Sequence, residues 1–213
     1  MLTGNFELPL AFDIGAVAAF AVTGAFAGVR RGYDIVGVFF LSAATALGGG
    51  LIRDGIFLKG GAPLAVRNPV YIVTVVVACV AGLLLSSRMQ RFERWIAIGD
   101  ALGLGTYAIV GVQMTLKAGL GVAPALFIGL INAVGGGLLR DVLAREEPLV
   151  FKPGEFYVLV ALAGEVCFVF MATVLRYNLK TAAFTAIALT LVLRYLTVRF
   201  KWRTQPAAPL PWV

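Results

Sequence analysis

The feature that most constrains this chain is a seven-residue segment that occurs twice in apolar surroundings. Gly48, Gly49, Gly50, Leu51, Ile52, Arg53 and Asp54 reappear 87 residues later as Gly135, Gly136, Gly137, Leu138, Leu139, Arg140 and Asp141, with six of the seven positions identical. Asp13 and Asp100 stand at the same separation. Each copy sets three glycines and a charge pair where a lipid-embedded helix would be continuous and apolar. A matched interruption in two halves of a hydrophobic chain marks an internally duplicated membrane protein with a pathway or site at the interruption.

The rest of the chain is apolar enough for that reading. Of 213 residues, 60% are hydrophobic and 14% charged, against about half and about a quarter in soluble domains. The net charge of +7 is scattered between apolar stretches. It therefore reads as juxtamembrane charge that sets topology, and nucleic-acid binding, which needs a clustered basic face, is not expected. There is no histidine, and the two cysteines, Cys79 and Cys167, lie within apolar runs. No metal cluster, disulfide framework or nucleophile–base set is in view, so neither an enzyme nor a cofactor is expected. No secretory signal stands out, because the first residues carry Glu7 and no basic residue.

A spanning helix needs about 20 mostly apolar residues. Seven such spans are predicted, at 8–29, 35–58, 70–87, 95–116, 122–143, 155–176 and 182–198. The fold class is an all-α membrane protein in one transmembrane domain, 1–204, with a flexible tail at 205–213. Repeat 1 covers about 8–87, repeat 2 about 95–176, and the seventh helix is left over. The two motifs are three crossings apart, so the halves run in opposite directions, related by a pseudo-two-fold axis in the membrane plane. Tyr71 and Tyr157 fall at comparable places in the halves.

Arg53, Lys59, Arg67, Lys117, Arg176 and Lys180 fall on the N-terminal side, and the other twelve basic residues on the opposite side. The positive-inside rule then predicts an outside N-terminus and a cytoplasmic C-terminus. Trp95, Tyr33 and Tyr71, near span ends, read as interfacial anchors.

Three consecutive glycines weaken a helix by up to about 1 kcal/mol each relative to alanine. Spans 2 and 5 are therefore expected to kink or break at Gly48, Gly49 and Gly50 and at Gly135, Gly136 and Gly137. Carbonyls freed there suit a cation, and Asp54 and Asp141 offset the dipole of the half-helix beyond. Thr45 and Asn132, one turn earlier, and Ser42, one turn earlier still, could share that pathway. Close helix packing is the alternative reading of the glycines. It describes Gly24, Gly28, Gly99 and Gly103 well, but three adjacent glycines cover every face of a helix.

The buried charges suggest two symmetric pairs, Asp13–Arg53 and Asp100–Arg140, one at each mouth. The alternative, Arg53 with Asp54 and Arg140 with Asp141, is disfavoured because neighbouring residues on a helix do not face each other. Glu165, at the middle of span 6, fits either a proton relay or a carboxyl hydrogen-bonded to a neighbouring helix. Lys117 fits a gating residue or a snorkelling one.

With these residues the chain resembles the trimeric intracellular cation channel (TRIC) family in its prokaryotic branch, over about residues 8–200. The resemblance implies a homotrimer with a pore in each protomer, lined by spans 1, 2, 4 and 5. It also implies passive conduction of K+, with Na+ a second candidate, across the cell membrane among its lipids. Carried over by position, Gly48, Gly49, Gly50, Gly135, Gly136 and Gly137 become pore-kink glycines. The expected function is a passive monovalent-cation channel in which groups at the kinks replace part of the ion's hydration shell, with the charge pairs biasing its states. The alternatives are a secondary transporter of glycine or another small solute, coupled to protons through Glu165, and a packing scaffold without transport.

Overall fold

Side chains that cap backbone amides decide where several helices begin. The Asp34 carboxylate accepts from Gly37 N at 2.7 Å, Asn68 accepts from Val70 N at 3.1 Å ahead of a helix that opens on Pro69, and Asn178 accepts from Lys180 N at 2.9 Å. The computed structural model describes residues 10–86, 89–153, 156–202 and 204, with the side chains of 89–98 excepted. The expected tail 205–213 and the residues or side chains of Glu7, Arg88, Arg91, Arg94, Trp95 and Arg203 lie outside that description.

The described elements are helical. They are α1 (Leu10–Arg30), α2 (Ile35–Ile52) continued by a π-helical turn (Arg53–Leu58), and the short α3 (Leu64–Arg67). Then come α4 (Pro69–Leu85), α5 (Met89–Lys117), α6 (Val122–Leu143), α7 (Tyr157–Val169) with a second π-helical turn (Phe170–Val174), and α8 (Leu179–Arg199). Five of these, at Leu10–Arg30, Ile35–Leu58, Val122–Leu143, Tyr157–Val174 and Leu179–Arg199, are long and apolar enough to cross a membrane. Pro69–Leu85 is apolar but shorter.

Helices α1, α2 and α4 pack on one another, as do α5, α6 and α7. The two groups join along α1–α5 and α2–α6, and α8 lies against α5 and α7. The main core sits at the junction, around Val17, Phe20, Ala46, Leu104, Ala108 and Ala133. A second core under α8 gathers Ile109, Val112, Phe168, Ala183 and Ile187.

The expected break in the helices at the glycines does not occur. α2 and α6 run as unbroken α-helix through Gly48, Gly49 and Gly50 and through Gly135, Gly136 and Gly137. Where water cannot compete for backbone groups, opening the helix would orphan amides and carbonyls, and that penalty exceeds the conformational entropy of three glycines. The irregularity falls downstream in the first copy, where the helix widens into the π turn at Arg53.

Among the described residues, every non-glycine with left-handed φ is basic. Lys59 (47°), Arg145 (54°), Arg176 (54°) and Lys201 (52°) each stand just past the end of a helical segment.

Candidate functional site

The two glycine triplets meet face to face. A Cβ on Gly49 would strike the carbonyl oxygen of Asn132, and one on Gly136 would strike that of Thr45. A Cβ on Gly135 would lie 3.1 Å from the Gly49 Cα. Contacts run in opposite order along the two helices: Thr45 meets Gly136, Gly49 meets Asn132, and Arg53 also reaches back to Asn132. α2 and α6 are therefore antiparallel and in backbone contact. The third glycine of each triplet is different. A Cβ on Gly50 would meet nothing nearer than Arg53 Nη2 at 3.8 Å, and one on Gly137 nothing nearer than the Tyr157 hydroxyl at 3.9 Å. Two glycines of each triplet make the crossing close, and the third faces a polar cluster.

The first cluster centres on Arg53, which is only 4% exposed. Its Nε donates to Asp54 Oδ1 at 2.6 Å and its Nη1 to Asn132 Oδ1 at 3.2 Å. Asn132 Nδ2 donates to the Tyr107 carbonyl at 2.6 Å, and the Tyr107 hydroxyl donates to the Ala46 carbonyl at 2.9 Å. Asp54 Oδ2 accepts from Leu64 N at 3.0 Å, which ties the loop after the π turn to the cluster. The Tyr71 hydroxyl donates to Asp13. A cavity of about 20 Å³, lined by Asp13, Gly50, Arg53, Tyr71, Tyr107 and Asn132 among others, has room for about one water. A larger vestibule of about 370 Å³ is lined by Asp13, Asn68, Tyr71, Gln113 and Lys117 among others. Asp13 and Tyr71 border both.

The second cluster repeats this pattern. Arg140 Nε donates to Asp141 Oδ1 at 2.9 Å and Nη1 to Thr23 Oγ1 at 3.4 Å. Asp141 Oδ2 accepts from Leu149 N at 3.2 Å, again clipping the following loop. Asp100 lies near Tyr157, and Arg140 and Arg194 both act on it electrostatically. The Arg194 guanidinium lies over the Tyr157 ring, 5.1 Å from its centroid. Nearby, Tyr33 donates to the Leu143 carbonyl at 2.9 Å and Arg31 pairs with Glu146 at 2.8 Å, so the α1–α2 loop is fastened to the end of α6.

The ion pairs correct the sequence expectation. Arg53 pairs with Asp54 and Arg140 with Asp141, each with its chain neighbour. The rule that adjacent helix positions diverge applies to Cβ directions. An arginine side chain is long enough to fold back along the backbone, and a buried carboxylate rewards it for doing so. Asp13 is instead held by Tyr71, and Asp13 and Asp100 have Arg53 and Arg140 as electrostatic neighbours. Asp13 and Arg53 do line one cavity.

Other residues fall differently. Ser42 Oγ donates to the Ala21 carbonyl at 2.7 Å and Thr45 Oγ1 to the Leu41 carbonyl at 2.6 Å. Both are fully buried and serve helix packing, whereas Asn132 borders the cavity. Lys117 borders the vestibule. Tyr71, read as an interfacial anchor, is buried against Asp13. Glu165 is 0% exposed, and neither carboxyl oxygen has a hydrogen-bond partner among the described residues. It packs on Gly129, where a Cβ would lie 2.6 Å from Glu165 Oε1. Tyr107, Gln113 and Arg194 escaped the sequence reading. For Arg194 a signal existed, an arginine inside an apolar span. Tyr107 offered none, because a tyrosine amid apolar residues reads as core.

Comparison with known proteins is consistent across sequence and structure. The profile of a family described as glycine transporter matches residues 10–87 and 97–173. A UPF0126 membrane protein of Deinococcus radiodurans is 35% identical over 93% of this chain and 91% of its own length. The UPF0126 inner membrane protein YadS of Escherichia coli is 32% identical over 88% of this chain and 90% of its own. A structure described as the basis for conductance through TRIC cation channels superposes with TM-score 0.86 at 31% identity, covering 97% of this chain and 100% of that one. The TRIC trimeric intracellular cation channel orthologue from Rhodobacter sphaeroides gives 0.83 at 29% identity, covering 91% of this chain and 98% of that one.

Proposed function

The chain belongs to the TRIC family in its prokaryotic branch, and from that premise we propose that it is a passive, potassium-permeable monovalent-cation channel. Each protomer of a homotrimer would carry its own pore. The observation that carries this reading is the antiparallel crossing of α2 and α6 with a buried Arg–Asp cluster beyond each glycine triplet. It supports a three-plus-three inverted repeat made of α1, α2 and α4 against α5, α6 and α7, with α8 as a seventh span. The pathway runs from the vestibule at Asp13, Tyr71 and Lys117 to the Arg53–Asn132 cluster, past Gly50 and Gly137, to the Arg140–Asp100 cluster. In the conformation described, the Arg53–Asn132–Tyr107 chain of hydrogen bonds closes this route. Opening requires Arg53 to leave Asn132, after which Asn132 Oδ1 and nearby carbonyls face a passing ion.

A second reading is uptake of a small zwitterion such as glycine. One observation favours it: the vestibule is bordered by a carboxylate, Asp13, and an ammonium, Lys117. Purified protein in planar bilayers under an asymmetric KCl gradient separates the two. Discrete openings that reverse near the potassium equilibrium potential are expected. Folded, inserted protein that passes no current but takes up labelled glycine saturably would replace the channel with the carrier.

A further inference from the structure

The two polar clusters differ in one respect that the motif repeat does not account for. In the first, Arg53 acts on Asp13 and Tyr71, and Lys117 borders the vestibule that they line. In the second, two cations act on Asp100 and Tyr157: Arg140, the counterpart of Arg53, and Arg194. Arg194 comes from α8, the helix that stands outside the two matched groups and packs on α5 and α7. Its guanidinium covers the face of Tyr157 at 5.1 Å, a cation–π arrangement, and acts electrostatically on Asp100. A carboxylate next to an aromatic face is the chemistry that would hold a passing alkali cation, and at the equivalent Asp13–Tyr71 position the protein leaves an open vestibule of about 370 Å³.

We propose that Arg194 is a tethered cation, supplied by α8, that fills the cation-binding position at Asp100 and Tyr157 and so limits ion passage at that mouth. The inference rests on the channel reading above. Its consequence is asymmetry: an internally duplicated protein gains two unlike mouths, one a vestibule bordered by Lys117 of α5 and one where a guanidinium of α8 covers the tyrosine face. Release needs only a swing of the Arg194 side chain or a shift of α8, not a rearrangement of the α2–α6 crossing.

The test compares wild type, R194K and R194Q in planar bilayers in symmetric KCl, with currents recorded at both polarities. R194Q is expected to raise cation current severalfold and to change the ratio of currents at opposite voltages. R194K, which keeps the charge but loses the planar stacking on Tyr157, should fall between. A merely structural arginine would lower the number of active channels without altering that ratio. If R194Q and wild type give the same current–voltage curve, the tether is overturned and the channel reading stands. If folded wild type passes no current, the channel reading itself falls. Should R194Q fail to fold, R194K decides: a curve shifted from wild type upholds the tether, and an identical one overturns it.

Discussion

At the scale of single residues, the glycines of one triplet do unlike jobs, and substitution separates them. Gly49→Ala and Gly136→Ala each aim a methyl at a backbone oxygen of the opposing helix. Backbone cannot yield as a side-chain tip can, so each should destabilise by at least the ~1–3 kcal/mol typical of overpacking. Thermal unfolding in detergent would read this as a clear fall in Tm. Gly50→Ala and Gly137→Ala, whose nearest neighbours stand 3.8 and 3.9 Å away, should leave Tm nearly unchanged; any effect should appear in conductance. Equal Tm losses at all four positions would refute the division. A glycine triplet announces that something comes close, but not whether it is a helix or an ion. The sequence therefore marked both triplets as special positions, but it did not foresee that they meet, and it suggested a break that continuous backbone hydrogen bonding prevents.

At the scale of elements, each Arg–Asp pair ends a helix and catches the loop that follows. Asp54 holds both Arg53 and Leu64 N, and Asp141 holds both Arg140 and Leu149 N. Asp54→Asn keeps an acceptor for the loop but strands a buried guanidinium, and breaking a buried pair on one side typically loses ~3–5 kcal/mol. The double variant Arg53→Met with Asp54→Asn should recover much of that loss, because two buried charges then disappear together. Urea or thermal unfolding of the single and double variants checks this, and a double variant weaker than the single would sink it. The same double variant removes the donor that closes Asn132, so its conductance should rise even as its stability recovers. Which residues carry charge was legible from the repeat; which partner each chose was not, because side-chain reach and tyrosine hydroxyls decide it. Asp13 and Tyr71 join different helices, and no periodicity within one helix encodes such a contact.

At the scale of the whole molecule, the paired groups α1–α2–α4 and α5–α6–α7 follow from the duplication, and α8 from the remainder. Arg194 shows where that reasoning stops: counted only as a topology-setting charge, it lies inside the structure against Tyr157. The charge asymmetry of six basic residues against twelve predicts a cytoplasmic C-terminus. A C-terminal fluorescent fusion should glow and a C-terminal periplasmic-phosphatase fusion should stay inactive, and the reverse pattern would invert the topology. The left-handed helix ends carry this further. A glycine at Lys59, Arg145, Arg176 or Lys201 would relax a backbone conformation that costs L-residues roughly 1 kcal/mol. Yet the four are not equivalent to the insertion machinery. Removing Lys59 or Arg176 takes charge from the sparse side and reinforces the bias, whereas removing Arg145 or Lys201 erodes the rich side. At Arg145 and Lys201, then, biogenesis and folding make opposite demands, and the chain keeps a strained basic residue there. Arg145→Gly should give a molecule that is sturdier once folded and less uniformly oriented as it is made.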